Sequence, residues 1–257
     1  MKKDIYYRTA NYETIGRTED ERQIMANLLK HHLNILPNFG ENWNQHTPVT
    51  TTRQTLSRSL YLDNLYKKII GVPGVICEFG VRYGATLSQL IALRGIYEPY
   101  NHCRTIVGFD TFEGFVNVDS GKDGTTHLDG DFRVEADYEK ILEDILSLHE
   151  KNCPLSHMKK FELVKGDASL TTSKWLSENT HAVIAMAILD MDIYKPTKDV
   201  LEAIIPRLTK GSLLVFDELN YKLFPGETQA VIEVLGLNNL RLHHFPHQPT
   251  CAWAVFE

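Results

Sequence analysis

The sequence predicts an α/β fold: a mostly parallel seven-stranded sheet with helices on both faces, a C-terminal antiparallel hairpin and an N-terminal helical extension. Three observations support it. From residue 72 onward, short apolar runs alternate with helical patterns, as in sheets built from strand–helix–strand units. Two late apolar runs flank a turn with two prolines. The chain has 257 residues, 43% of them hydrophobic, so it can bury a large core.

The N-terminal part is predicted to be helical. Apolar residues at helical spacing occupy positions 24, 28, 29 and 33 of a helix over residues 19–36, which Pro37 ends. A second helix, marked by Leu56 and Ile69, leads into the core. We therefore expect residues 1–70 to form a helical extension and residues 71–257 to form the α/β domain.

The α/β domain follows as a series of alternating elements. The predicted strands are residues 74–79, 104–109, 161–165, 183–190 and 211–217. The predicted helices between them are residues 85–95, 136–150, 170–178 and 195–207. Residues 240–245 and 251–256 complete the sheet as a hairpin, joined by residues 246–249. The irregular stretch 113–135 is rich in Gly and Asp, and loops of this length are often lids.

Composition excludes several classes of protein. The net charge of −6 provides no basic surface for nucleic acid, and no apolar run approaches the roughly 20 residues that span a bilayer. Residues 1–7 lack the apolar core of a signal peptide. The four cysteines form no C-x-x-C pair, and we expect Cys77 and Cys251 to be buried in strands. We expect a cytoplasmic protein without structural zinc.

The stretch of residues 77–86 predicts a nucleoside site. A strand leads into Glu78 and then into Gly80 and Gly84, and a helical pattern follows at once. The E-x-G-x-x-x-G spacing differs from the G-x-G-x-x-G that holds a pyrophosphate on a helix N-terminus. It therefore favours a nucleoside without phosphates, and S-adenosylmethionine is the usual one.

Two aspartates extend this site along the same sheet edge. Asp110 ends the second strand, where a carboxylate can accept both ribose hydroxyls, and Asp167 follows the third, near the expected adenine amino group. Taken singly, each glycine is better explained as a plain turn and each aspartate as a helix cap. Polar residues at three successive strand ends favour the cofactor.

An acidic cluster is predicted after the next two strands. Asp190 and Asp192 follow the apolar run 183–189, and Asp217 and Glu218 follow the run 212–216. If these strands are neighbours, Asp190, Asp217 and Glu218 converge, and crowded carboxylates need a proton or a cation between them. Oxygen ligands favour Mg²⁺, while Mn²⁺ and Ca²⁺ accept the same donors. Alternatively, Asp192 and Asp217 only cap the helices that follow.

Asp192 is also the candidate base of this cluster. It lies two residues after Asp190 and projects on the same side if the strand continues. A carboxylate beside a metal can take the proton of a hydroxyl that the metal has acidified.

These motifs resemble the Rossmann-like class I S-adenosylmethionine-dependent methyltransferases. Within that class the chain is similar to the macrocin O-methyltransferase family, which methylates sugar hydroxyls in natural products. The resemblance covers about residues 50–235. Its motifs are residues 77–81 with Gly84 and Thr86, residues 109–114, residues 189–197 and residues 215–218.

The resemblance implies roles for individual residues. The cofactor would be bound by Glu78, Phe79, Gly80, Gly84, Thr86, Asp110, Thr111, Gly166, Asp167, Ala168 and Ser57. Mg²⁺ would be held by Asp190, Asp217 and Glu218, and Asp192 would act as base, so that Asp190 and Asp192 are the catalytic pair. The N-terminal helices, with Arg53, Ser57 and Tyr61, would cover the cofactor and help to build a homodimer. Glu218 departs from the family, which more often has a second Asp there.

The expected function is Mg²⁺-dependent O-methylation of a hydroxyl on a sugar or glycosylated metabolite. Three alternatives remain at this point. A metal-independent methyltransferase would use the carboxylates only as caps. A nicotinamide-dependent oxidoreductase would need a phosphate-binding glycine loop, which the spacing between Gly80 and Gly84 does not provide. A non-catalytic cofactor-binding protein would bury these charges without using them.

Overall fold

The computed structural model describes residues 17–257. Residues 1–7, which argued against a signal peptide, lie outside the described residues. Within the described residues, the chain divides into two compact units, residues 17–60 and 61–257. The predicted domain boundary at residue 70 stays a prediction.

The first unit is helical. Its elements are α1 (Glu19–Ile35), a 3₁₀ helix (Leu36–Asn42), α2 (Trp43–His46), a second 3₁₀ helix (Thr47–Thr50) and the start of α3 (Arg53–Ile69). Thr18 and Glu21 form a capping box at the start of α1, in which each side chain accepts the backbone N–H of the other residue. No residue of α1 is buried, and Leu29 and Leu33 are 58% and 61% exposed.

The second unit contains a seven-stranded sheet. Its strands are β1 (Val75–Phe79), β2 (Ile106–Asp110), β3 (Phe161–Lys165), β4 (Ile184–Leu189), β5 (Leu208–Phe216), β6 (His243–Phe245) and β7 (Gln248–Val255). Their order is β3-β2-β1-β4-β5-β7-β6. The first five strands are parallel, and β7 runs antiparallel to β5 and to β6. The predicted mostly parallel sheet with a C-terminal hairpin is confirmed.

The register aligns the carboxyl ends of the central strands. Phe79 of β1 pairs with Phe109 of β2 and with Leu189 of β4, and Leu189 pairs with Phe216 of β5. The strand order reverses between β1 and β4, and ligands of such sheets bind in the crevice at this reversal. The residues that follow these four strands therefore meet at one edge.

Helices cover both faces of the sheet. They are the end of α3, α4 (Ala85–Tyr97), α5 (Tyr138–Lys151), α6 (Ala168–Glu178), α7 (Tyr194–Ile204) and α8 (Pro225–Val234). Side chains of β1 alternate between the two cores, so that Ile76 packs with α4 and α5 while Cys77 and Phe79 pack with α6 and α7. Cys77 and Cys251 are buried, as predicted.

The structure differs from the predicted elements at two places. Helix α8 was not predicted; it begins at Pro225, and proline at the first helical position is compatible with a helix start. The last strand begins at Gln248, three residues before the predicted start, and includes Pro249. The β6–β7 register shifts at His244/Phe245, and such an irregularity accommodates a residue without a backbone N–H.

No helix within residues 17–257 combines the length and the apolar composition needed to cross a bilayer.

Candidate active site

The turn after β1 contains two glycines, Gly80 and Gly84, which neighbouring protein segments approach closely. Gly80 has a φ of +95°, and a Cβ there would lie 1.8 Å from the carbonyl oxygen of Asp190. Gly84, with a φ of +77°, precedes α4, and its Cβ would lie 2.3 Å from Cδ1 of Leu142. The predicted contacts of Gly80 and Gly84 with the cofactor stay predictions. The structure shows that each glycine makes room for a neighbouring protein segment.

Asp110 holds this turn from the end of β2. Its Oδ2 accepts the backbone N–H groups of Val81 at 2.6 Å and of Arg82 at 2.7 Å, and its Oδ1 accepts that of Phe112 at 2.5 Å. A carboxylate has about four lone-pair sites, so these three bonds leave about one for a further donor. The predicted ribose contact of Asp110 stays a prediction, and the structure adds a role in shaping the turn.

Glu78, Phe79 and Thr86 flank the same turn. Glu78 is 2% exposed at the end of β1, and Thr86 is buried in the first turn of α4. The ring of Phe79 stacks on that of Phe109, with centroids 4.8 Å apart. β1 and β2 thus present Glu78 and Asp110 from a rigid, packed base.

Asp167 caps α6, which is the alternative that the sequence left open. Its Oδ1 accepts the backbone N–H of Ser169 at 2.9 Å, and Asn117 donates its side-chain amide to Oδ2 at 3.1 Å. Gly166 has a φ of +138° and donates its N–H to the carbonyl of Asp110 at 2.8 Å. Gly166, Asp167 and Ala168 are therefore tied to the end of β2, and their contact with adenine stays a prediction.

Two other predicted cofactor residues have local roles. The hydroxyl of Thr111 donates to the carbonyl of Gly114 at 2.7 Å and thereby closes a turn after β2. Ser57 lies on α3 within the first unit. The contacts of Thr111 and Ser57 with the cofactor stay predictions.

Carboxylates gather after β4 and β5. Oxygens of Asp190, Asp192 and Glu218 all lie within 4.8 Å of one another, a spacing that can hold a metal ion. Burial, followed by the charges of Asp192, Asp217 and Asp190, raises the pKa of Glu218 well above its ordinary value. The charges of the other three predicted acidic residues thus all act on the carboxyl group of Glu218. The tight group contains Asp192, while Asp217, the third predicted ligand, is not among its three members.

Asp192 reaches this group by a different route from the one expected. The strand does not continue to it, because β4 ends at Leu189. Asp192 instead has a φ of +64°, in the left-handed region that few residues other than glycine adopt. The proximity of Asp190 and Asp192 therefore depends on this turn.

Asp217 has a partner that the sequence did not indicate. The thiol of Cys251, on β7, donates to Oδ1 of Asp217 at 3.2 Å. The antiparallel pairing of β5 with β7 places the two residues side by side. Asp217 is therefore oriented by a neighbouring strand.

Glu227 is an acidic residue of the site that sequence reasoning missed. It is fully buried in the first turn of α8, where its Oε1 accepts the backbone N–H of Glu218 at 3.0 Å. Burial, followed by the charges of Asp217 and Asp192, raises the pKa of Glu227 well above its ordinary value. Glutamate in a first helical turn is common, so its position in the sequence carried no signal.

The irregular stretch 113–135 is closed and anchored. The N–H of Phe115 donates to the carbonyl of Asp131 at 2.8 Å, and the N–H of Gly130 donates to the carbonyl of Phe115 at 2.8 Å. Asp123, 1% exposed, accepts the N–H of Tyr194 at the start of α7 at 2.6 Å. This arrangement is an Ω-like loop fixed beside the acidic cluster.

His127 fixes the same loop on its other side. It is 2% exposed, its Nε2 lies 2.5 Å from the carbonyl oxygen of Leu223, and its ring stacks on Phe224 with centroids 4.6 Å apart. The loop therefore contacts the segment that connects β5 with α8.

Comparisons with known proteins identify similar chains. The profile of the macrocin O-methyltransferase (TylF) family matches residues 38–241. A crystal structure of CalS11, a calicheamicin methyltransferase, is 41% identical over 93% of each chain, with a TM-score of 0.87.

A second structure, apo CalS11, described as the TDP-rhamnose 3′-O-methyltransferase of calicheamicin biosynthesis, is 39% identical. The match covers 93% of this chain and 95% of that one, with a TM-score of 0.82. The O-methyltransferase NovP shares the fold at 17% identity over 77% of this chain and 79% of its own, with a TM-score of 0.61. The comparison with curated proteins finds no match.

Proposed function

Because the chain belongs to the macrocin O-methyltransferase family and is an S-adenosylmethionine-dependent O-methyltransferase, we propose that it methylates a hydroxyl group of a sugar or a glycosylated metabolite with the help of Mg²⁺. Two findings support the sugar acceptor: the family match and the similarity to CalS11, which is described as acting on TDP-rhamnose. The observation that carries the metal is the group of carboxylates within 4.8 Å of one another. Family membership argues against the nicotinamide-dependent and the non-catalytic alternatives.

The cofactor is proposed to bind over the turn between β1 and α4. Glu78 and Asp110, at adjacent strand ends, would face the ribose, while Gly166, Asp167 and Ala168 would face the adenine. Phe79, Gly80, Gly84, Thr86 and Thr111 complete this wall. The ordered turn that Asp110 holds favours binding, because little backbone has to be fixed on association.

The acidic cluster fits a hard divalent cation. Its donors are carboxylate oxygens. Burial, and then repulsion from the neighbouring carboxylates, raises the pKa of Glu218, and a positive charge relieves that repulsion. Asp190, Asp217 and Glu218 are the proposed ligands. Asp192 lies in the same tight group and keeps its proposed role as base.

The residues of the site divide the chemistry among them. When bound, S-adenosylmethionine supplies a methyl group on a positively charged sulfur, and Mg²⁺ stabilises negative charge on the acceptor oxygen. Asp192 accepts the proton of the acceptor hydroxyl on a carboxylate oxygen. Holding the acceptor oxygen beside Asp192 and in line with the methyl group supplies much of the rate, because a correctly oriented encounter replaces a random one.

The test uses methyl-labelled cofactor with a panel of nucleotide-linked deoxysugars, glycosylated metabolites and hydroxylated compounds that carry no sugar. We expect label transfer to at least one sugar hydroxyl, loss of transfer after exhaustive EDTA treatment, and recovery on adding Mg²⁺. Full activity after EDTA would support the metal-independent alternative. Transfer only to acceptors without a sugar would refute the proposed substrate class.

A further inference from the structure

Glu227 is a buried carboxyl group that the proposed reaction does not use. The residue has no exposed surface, and only its Oε1 has a hydrogen-bond partner, the N–H of Glu218. Its Oε2 is buried and accepts no hydrogen bond from residues 17–257. A buried carboxyl that is half satisfied lowers stability, so its presence calls for a compensating contact.

The hydrogen bond between Glu227 and the N–H of Glu218 lies where the chain leaves the sheet after β5. The N–H of Asp217 still donates to the carbonyl of Leu189 on β4, at 3.1 Å, and so continues the strand pairing. The next N–H, that of Glu218, has Glu227 as its acceptor instead. The chain then turns, with the N–H of Tyr221 donating to the carbonyl of Glu218 at 3.0 Å.

A glutamate at position 218 makes this anchor important. Its side chain has three rotatable bonds, so any movement of the backbone beneath it adds to the spread of positions that its carboxylate can take. The same carboxylate has to meet Asp190 and Asp192 within 4.8 Å. The hydrogen bond from Glu218 to Glu227 fixes that backbone.

We propose that Glu227 is the positioning residue of the acidic cluster, because it accepts the backbone N–H of Glu218 and thereby holds the Glu218 carboxylate toward Asp190 and Asp192. The consequence for metal binding rests on the metal site proposed above. The effect on the Glu218 backbone does not depend on it.

The chain provides a matched control one residue away. The hydroxyl of Thr228 accepts the N–H of Asn220 at 2.9 Å, which is the same type of contact between α8 and the preceding loop. Asn220 is exposed and lies outside the acidic group. Thr228→Val therefore removes an equivalent hydrogen bond without reaching Glu218.

The experiment compares Glu227→Gln, Glu227→Met and Thr228→Val with the unaltered protein. Calorimetric titration with Mn²⁺ alone measures metal affinity, and hydrogen exchange of the Glu218 amide measures the anchor. Removing the acceptor in Glu227→Met should weaken Mn²⁺ binding and speed exchange, each by about tenfold, the size of one lost hydrogen bond to a buried donor. Glu227→Gln keeps an acceptor oxygen, so both quantities should stay within about threefold. Thr228→Val should leave both unchanged, and every variant should still bind S-adenosylmethionine.

Activity assays add a second readout. Glu227→Met should need a higher Mg²⁺ concentration for half-maximal rate while kcat at saturating Mg²⁺ changes little, because positioning acts on the assembly of the site. A general loss of folded protein would lower kcat and cofactor binding together. If Glu227→Met does not fold, Glu227→Ala, which leaves room for water, takes its place.

Two outcomes would overturn the inference: unchanged exchange of the Glu218 amide in the apolar variant, or an equal loss in Glu227→Gln. Absence of Mn²⁺ binding in the unaltered protein would refute the metal site alone. In that case the exchange of the Glu218 amide in the three variants still decides whether Glu227 positions this residue.

Discussion

Gly80 faces the backbone of Asp190 so closely that a Cβ at position 80 would lie 1.8 Å from the carbonyl oxygen of Asp190. The two backbones are also linked through Phe79, whose carbonyl accepts the N–H of Asp190 at 2.8 Å. The turn proposed to hold the cofactor and the first residue of the acidic cluster are therefore in direct contact. A disturbance on one side must reach the other.

Gly80→Ala is expected to damage both sites. The added methyl group meets backbone atoms that cannot rotate away, and alanine disfavours a φ of +95°. We expect a loss of about 2–4 kcal/mol in the free energy of unfolding, measured by denaturant titration. Gly71→Ala is the control, because a Cβ there meets nothing within 4 Å. Equal stability of the two variants would contradict the tight approach of Gly80 to Asp190.

Asp192→Asn should abolish methyl transfer while leaving cofactor binding intact. Asparagine has nearly the same shape as aspartate and tolerates a φ of +64°, but it cannot accept the acceptor's proton. We expect kcat to fall by about 10²–10⁴-fold, the range of a lost general base. Asp199→Asn, which breaks an exposed ion pair with Lys195 on α7, should keep full activity. Retained turnover in Asp192→Asn would rule out its role as the base.

Asp110→Ala should weaken S-adenosylmethionine binding more than it disturbs the fold. The substitution removes the acceptor of three backbone N–H groups, at Val81, Arg82 and Phe112, so the turn after β1 loses its shape. We expect the dissociation constant of S-adenosylmethionine, measured by calorimetry, to rise by about tenfold or more. An unchanged affinity would show that the ordered turn makes no contribution to the cofactor site.

Mg²⁺ should stabilise the folded protein against heat through the acidic cluster. A ligand present at about 100 times its dissociation constant adds about 2.7 kcal/mol to the stability of the state that binds it. We expect a higher Tm with Mg²⁺ than with EDTA, and a smaller rise in Asp190→Asn, which removes one negative charge from the group. An equal rise in Tm for the unaltered protein and for Asp190→Asn would show that Mg²⁺ binds outside the acidic cluster.

The first unit is expected to join two copies of the chain. No residue of α1 is buried, and a helix without packing on one face is only marginally stable in water. Leu29→Glu with Leu33→Glu, which puts charges on this exposed apolar face, should convert a dimer to a monomer in light scattering coupled to gel filtration. The control is His31→Glu, which places a charge at an exposed position on the opposite side of the same helix. A monomeric unaltered protein would contradict the expected homodimer.

The sequence was sufficient for the sheet because its signals are local. Apolar runs such as residues 183–189 and the glycine spacing after Glu78 each predict one element, and the crossover rules then bring the strand ends together. The acidic residues that follow β4 and β5 are visible for the same reason.

What escaped prediction depends on contacts between distant segments. Glu227 acts on Glu218 through a helix that the sequence did not reveal, and Cys251 reaches Asp217 from the last strand. Asp192 was expected to continue a strand, but its position comes from a left-handed turn whose φ no local pattern announces. The reason for Gly80 likewise lies in Asp190, more than a hundred residues away.

The closure of the loop at Phe115 and Asp131 has an evolutionary consequence. Because its two ends are hydrogen-bonded to each other, the residues between them can be exchanged or lengthened while the surrounding scaffold keeps its geometry. Its ties to the rest of the domain are individual contacts, from Asp123 to Tyr194, from His127 to Leu223, from Asn117 to Asp167 and from Lys122 to Glu233. The loop is thus a replaceable module, through which a common methyl-transfer scaffold can diversify without redesign of its centre.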